Sequence, residues 1–163
     1  MKRLLIAALV LSSFGVNANQ YCRVLTYVSG TTTSAKGVND ENTGNMAKRV
    51  LMNDGRSIWI ADIYPKATEV SGAAWVMQAQ NDDNTILNYN DVNNSNSWGL
   101  DIPNRTFYEA DVFIPDEGQV DRGLNSSSTV WKGEYKACTP SQQLSMSKAV
   151  DEVRNIFKLE TEQ

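Results

Sequence analysis

Between residues 130 and 137 the chain alternates strictly: Trp131, Gly133, Tyr135 and Ala137 fall on one face, and Lys132, Glu134 and Lys136 share the other with Val130. Successive side chains of a strand point to opposite faces, so this run reads as an antiparallel strand with one covered and one wet side. The period then changes. Met146, Ala149, Val150, Val153, Ile156 and Phe157 recur at helical spacing, with Lys148, Asp151, Glu152, Asn155 and Lys158 on the opposite side. Ahead of them Thr139 fits an N-cap, Pro140 the first helical position and Gln142 the far half of a capping box. The pattern predicts an amphipathic helix over about residues 140–159.

Upstream the signals are those of strands. Residues 22–28 are β-branched and aromatic and stop at Ser29-Gly30. Two apolar runs, 48–52 and 57–64, flank Asn53-Asp54-Gly55, and two more, 73–80 and 85–89, flank Asn81-Asp82-Asp83-Asn84. Both are hairpin signatures, because Asn, Asp and Gly accept the backbone angles that tight turns need. Residues 105–114 form another strand, with Tyr108, Ala110, Val112 and Ile114 on one face, and Pro115 ends it. The polar stretches 31–45 and 91–99 read as loops.

The expected fold is therefore mainly β (α+β): an antiparallel sheet, as a sandwich or partly rolled barrel, with one C-terminal amphipathic helix. Strands fill about 22–138 of a single domain. The helix is expected to cover a sheet face, since an apolar face needs a partner layer; the competing expectation is that it docks on another protein.

The N-terminus changes the setting of this domain. Lys2 and Arg3 precede an apolar run from Leu4 to Leu11, and Val16-Asn17-Ala18 ends in the small residues a signal peptidase accepts. Residues 1–18 read as a cleavable signal peptide, too short to span a bilayer, with the mature chain over 19–163. The expected location is the periplasm or the exterior of a bacterial host, with no membrane association after cleavage. In an exported chain the two cysteines, Cys22 and Cys138, are expected to pair, tying the first strand to the last.

Charge and composition then narrow the chemistry. The chain holds 15 Lys and Arg against 19 Asp and Glu, a net charge of −4 that falls to −6 when the two basic residues of the leader are removed. Nucleic acids and anionic membranes call for a basic surface and are poor partners. The chain contains no histidine. That excludes a Ser-His-Asp triad, a Cys-His pair and any His-bearing zinc site. No metal and no cofactor are expected.

Two sets of residues stand out. Trp98 sits in an Asn- and Ser-rich stretch with no apolar stripe to bury it, so it reads as a contact residue or a folded-back plug. Asp91, Asn94 and Asn96 would supply hydrogen bonds beside it. Trp59, Trp75 and Trp131 read as core. Glu109 and Asp111, at i and i+2 between Phe107 and Phe113, form a paired carboxylate of the kind glycosidases use. The leading expectation is a small exported binding protein without catalytic activity, engaging a protein partner in the envelope or extracellular space, as inhibitors and immunity proteins do. A carbohydrate-binding or adhesin-type module built on Trp98 is the alternative, and a carboxylate hydrolase using Glu109 and Asp111 is the third reading.

Overall fold

The computed structural model describes residues 20–90 and 93–161, with side chains described to residue 158; residues 1–18, read above as a leader, lie outside them. Nine strands follow one another: β1 (Tyr21–Ser34), β2 (Gly37–Asp40), β3 (Lys48–Asn53), β4 (Ile58–Ile63), β5 (Trp75–Ala79), β6 (Ile86–Asn90), β7 (Asn94–Asp101), β8 (Thr106–Phe113) and β9 (Ser127–Ala137). A short helix α1 (Glu117–Asp121) precedes β9, and α2 (Pro140–Thr161) ends the chain. The strands pair antiparallel in the order β2-β1-β3-β4-β5-β6-β7-β8-β9, and β1 pairs again with β9. That last pairing closes eight strands into a barrel, with β2 as an extra strand outside it. Of the two architectures expected, the barrel is the one formed, and it is fully closed.

The length of β1 makes closure possible. Its first half pairs with β3, from Tyr21↔Asn53 to Leu25↔Arg49, and its second half pairs with β2. Along its other edge it pairs with β9 from Arg23↔Ala137 to Ser34↔Ser127, with a bulge between Tyr27 and Ser29. A bulge adds local twist and bends the strand, which helps a sheet curl into a barrel. Glycine is needed at two inward positions. A Cβ on Gly133 would collide with the Phe107 ring and the Thr26 carbonyl, and one on Gly30 with the Trp131 ring.

Period-two alternation sorts the strands into two apolar layers. Inward residues, among them Leu25, Leu51, Ile60, Met77, Leu87, Trp98, Leu100 and Phe107, fill the barrel. Outward residues Val24, Val50, Met52, Trp59, Ala61 and Ile63 form a second layer on β1, β3 and β4, and Met146, Ala149 and Val150 of α2 cover it. The helix begins as the sequence indicates: the Gln142 N–H donates to Thr139 Oγ1 at 3.3 Å, and the Thr139 N–H donates back to Gln142 Oε1 at 2.9 Å. Only the first half of its apolar stripe is covered, since Ile156 and Phe157 are 57% and 59% exposed.

A disulfide and a turn carboxylate are among the ties that hold α2 in place. Cys22 and Cys138 form the expected disulfide, with Cα atoms 5.4 Å apart and a sequence separation of 116. At the β3–β4 turn, Asp54 accepts from the backbone N–H groups of Arg56 and Ser57, from the Trp59 indole at 3.0 Å and from Arg154 of α2 at 2.5 Å. Burial alone would raise the Asp54 pKa, but these backbone donors, the Arg154 charge and the Trp59 indole together hold it below the ordinary carboxylate value.

Several expectations require correction. Residues 31–45 are not one loop: β1 runs on to Ser34, turns, and returns as β2, because Thr31–Thr33 are β-branched and find ladder partners on both edges. Residues 94–99 of the expected second loop lie in β7, which pairs with β6 on one side and β8 on the other. Full ladders on both edges outweigh the low strand propensity of Asn and Ser. The shared face expected over 105–114 does form: Tyr108, Val112 and Ile114 are all exposed, while Phe107 and Glu109 are buried on the other face. After Pro115 the short helix α1 begins, capped by an Asp116–Gln119 box.

Candidate functional site

The barrel interior changes character along its axis. At the end where β1 begins it is apolar. Two residues further along several strands, the inward position becomes polar or charged: Leu25 gives way to Tyr27, Leu51 to Arg49, Ile60 to Asp62, Phe107 to Glu109 and Trp98 to Asn96. The alternation of each strand fixes this parity, and the register sets the polar residues at a common level. They occupy the end of the barrel where β3 and β7 begin and β4 and β8 finish.

Glu109 is the centre of this layer. Its side chain has no exposed surface. Tyr27 donates its hydroxyl to Oε2, Arg49 Nη1 donates to Oε1 at 3.0 Å, and Asn96 Nδ2 donates to the same oxygen at 3.3 Å. Arg49 lies on β3 and Glu109 on β8, so the guanidinium reaches across the barrel. Its Nε also lies 3.5 Å from Asp62 Oδ1 on the neighbouring strand, and its Cζ sits 5.5 Å from the Trp98 ring centroid.

The electrostatics follow from this burial. Desolvation pushes the Glu109 carboxyl up, and the Arg49 charge and the Tyr27 and Asn96 hydrogen bonds offset this only in part while the Asp111 charge adds to it. The Tyr27 phenol is raised well above its ordinary range by burial and by the Glu109 charge. Burial works against the Arg49 charge, but Tyr27, Glu109 and Asp62 favour it and leave its pKa raised. One cation thus faces three carboxylates, on Glu109, Asp62 and Asp111.

Three atoms in the layer are buried and, among the described residues, make no hydrogen bond: Asn96 Oδ1, Trp98 Nε1 and Asp62 Oδ1, the last within ion-pair distance of Arg49 but not bonded to it. An unmade hydrogen bond on a buried polar group costs ~1–3 kcal/mol, so such groups in a folded protein call for an explanation. Around them stands an aromatic rim. Trp75, expected in the core, is 38% exposed at the start of β5, and its ring centroid lies 6.3 Å from that of Tyr89. Trp131 is also only partly buried and meets Tyr27 edge-on at 5.5 Å.

The residues singled out in the sequence fall into this region in part. Trp98 is 2% exposed on β7, so it takes the buried place of the two considered, though within a strand rather than a folded loop. Asn96 is buried beside it, Asn94 is partly exposed at the start of β7, and Asp91 lies outside the described residues. Glu109 and Asp111 both face inward, but Glu109 is sealed beneath its three donors, so no substrate meets it without rearrangement of the layer. Arg49, Tyr27 and Asp62 were not anticipated. A charge at an inward parity position was the available signal: Arg49 shares the face of Leu51, and Asp62 that of Ile60. Asn81 bonds Thr85 and Ile86 within its own turn. Among the described residues no group of three or more Asp, Glu, Cys or His is arranged to hold a metal ion, and no helix is long and apolar enough to cross a membrane. Compared with known protein families, curated proteins and solved structures, the chain shows no significant match.

Proposed function

We propose that this chain is a small exported binding barrel, without catalytic activity, that engages a protein partner in the cell envelope in the manner of an inhibitor or immunity protein. The observation that carries this reading is the grouping of Trp75, Tyr89 and Trp131 around Arg49 and Asp62 at one end of the barrel. Tryptophan, tyrosine and arginine dominate the energetics of protein interfaces, because they bury large areas and carry a polar handle. A closed barrel presents such a set on a rigid frame, so little conformational freedom is lost on binding. The disulfide suits an oxidising compartment.

The test places a photo-crosslinking residue at Trp75 in the chain from Asn19 onward and exposes it to an envelope extract. The reading requires one protein to be captured reproducibly, with capture lost in Trp131→Ala and retained in Ile156→Ala on the helix. Failure to capture any specific protein sinks it. The carbohydrate reading has one observation in its favour, and it has moved: the exposed face belongs to Trp75 beside Tyr89, not to Trp98. Retention on a glycan array that disappears with Trp75→Ala would select it instead.

A further inference from the structure

We propose that the barrel end rimmed by Trp75, Tyr89 and Trp131 is a receptor for one cationic side chain, a lysine or arginine, presented on a loop of the protein partner. The inference rests on the reading that the partner is a protein, and it specifies the group recognised.

Charge is the first argument. The inward groups at this end are Tyr27 on β1, Arg49 on β3, Asp62 on β4, Trp75 on β5, Tyr89 on β6, Asn94 and Asn96 on β7, Glu109 and Asp111 on β8, and Trp131 on β9. Arg49 is the one cation among them, and its guanidinium is committed to Glu109 at 3.0 Å and to Asp62 at 3.5 Å. An anionic ligand would meet the Glu109 and Asp62 carboxylates, with no uncommitted cation among these residues. The chain as a whole is acidic, with a net charge of −4, and this steers cations toward it.

Hydrogen-bonding capacity is the second argument and is independent of the first. Asn96 is 8% exposed, its Oδ1 has no hydrogen-bond partner among the described residues, and Asp62 Oδ1 accepts no hydrogen bond. Both are acceptors. A guanidinium offers five donors and an ammonium three, with no acceptor in either. Trp98 Nε1 is the remaining unpartnered atom, and as a donor it gains nothing from a cation.

The aromatic rim is the third argument. The Trp75 and Tyr89 rings stand 6.3 Å apart and tilted by 50°, with Trp75 open to solvent. Cations are drawn to aromatic faces by the ring quadrupole, more strongly as the site loses water. The protein already stacks this way internally, with Arg49 over Trp98 and Arg154 over Trp59.

The probes are four blocked tripeptides: acetyl-Gly-Lys-Gly-amide, acetyl-Gly-Arg-Gly-amide, and the Gln and Glu counterparts. Each is titrated at millimolar concentrations into the 15N-labelled chain from Asn19 onward, reading the indole N–H signals of Trp75 and Trp131. The Lys and Arg peptides should shift these signals saturably, the Gln and Glu peptides should not, and 0.5 M salt should weaken the response. Asp62→Asn should raise the apparent Kd roughly five-fold, the range of one partly exposed ion pair. Equal response to all four peptides, no response to the cationic pair, or unchanged binding by Asp62→Asn each overturns the inference. The peptide and salt comparisons use the unaltered protein, so they stand even if the variant fails to fold. Capture of an envelope partner that needs Trp75 but ignores Asp62 and salt overturns this inference and leaves the proposed function intact. Cation binding with no envelope capture sinks the proposed function and, with it, the assignment of that cation to a protein partner.

Discussion

Removing the cation from the buried layer should cost stability in a way that depends on pH. In Arg49→Met the side chain keeps much of its volume, but Glu109 loses a 3.0 Å hydrogen bond and the charge that offsets its burial. Breaking a buried pair by deleting one partner commonly costs ~3–5 kcal/mol, because the survivor is left charged and uncompensated. Glu109 has a way out, since it can take up a proton. From the ordinary carboxyl value of 4.5, protonation at pH 7 costs about 3 kcal/mol, at 1.36 kcal/mol per pH unit. The Glu109 pKa is already raised in the native protein, and it rises further without Arg49, so the cost of this escape is smaller still. The electrostatic loss at pH 7 is therefore capped at about 3 kcal/mol.

The sign of the pH effect follows. A carboxyl whose folded pKa is raised favours folding most below its unfolded value and loses that contribution as pH climbs through the folded value. The variant's deficit should be largest near pH 7 and should shrink as pH falls toward 4.5. Urea unfolding followed by tryptophan fluorescence, at pH 7.5 and pH 5, measures both terms. The double variant Arg49→Met/Glu109→Gln should recover most of the loss at neutral pH and show little of the pH dependence. A deficit that is the same at both pH values, or larger in acid, would refute the argument.

Three further outcomes are expected. Asp54→Asn should destabilise the docked helix by about 1–2 kcal/mol at neutral pH, the scale of a charge-assisted hydrogen bond at a partly exposed site. Because the folded Asp54 pKa is depressed, this contribution is present above the ordinary value of 3.8 and lost as pH falls through the lower folded value, so wild type and variant should converge in acid unfolding curves. Reducing the Cys22–Cys138 bridge, which spans 116 residues, should lower stability by about 5 kcal/mol in the chain-entropy model; denaturant midpoints with and without reductant report it, and an unchanged midpoint would contradict the model. Gly133→Ala should cost ~1–3 kcal/mol or more through overpacking, since its Cβ meets the Thr26 backbone as well as the Phe107 ring, whereas Gly99→Ala, with open space around its Cβ, should change little. Thermal melts of the two variants make the comparison.

The elements were legible wherever local pattern and tertiary demand agreed. The alternation ending at Ala137, the Asn53-Asp54-Gly55 turn and the Thr139–Gln142 capping box each encode their structure within a few residues, and each appears where the sequence places it. β7 was illegible for the opposite reason. Asn94, Ser95, Asn96 and Ser97 have little strand propensity of their own, and they are extended only because β6 and β8 offer ladders on both edges. Trp75, expected in the core, lies exposed on similar grounds, whereas Trp98 takes the buried one of its two expected places. An indole's burial depends on how far along the barrel axis its strand sets it, and that distance is not written in its neighbours.

What the sequence determined by itself is the set of local periods, the caps and turns, and the pairing of two cysteines on the strands that meet at the barrel seam. Closure, and the layer within it, come from strand pairing across the whole chain. Arg49 and Glu109 are 60 residues apart and lie on strands that do not pair, so no local spacing relates them. Strand number and register bring them together across the axis. Glu109 is closed off from water there, while Arg49 and Asp62 stay partly exposed, so the network runs from a sealed carboxylate to a polar, aromatic mouth.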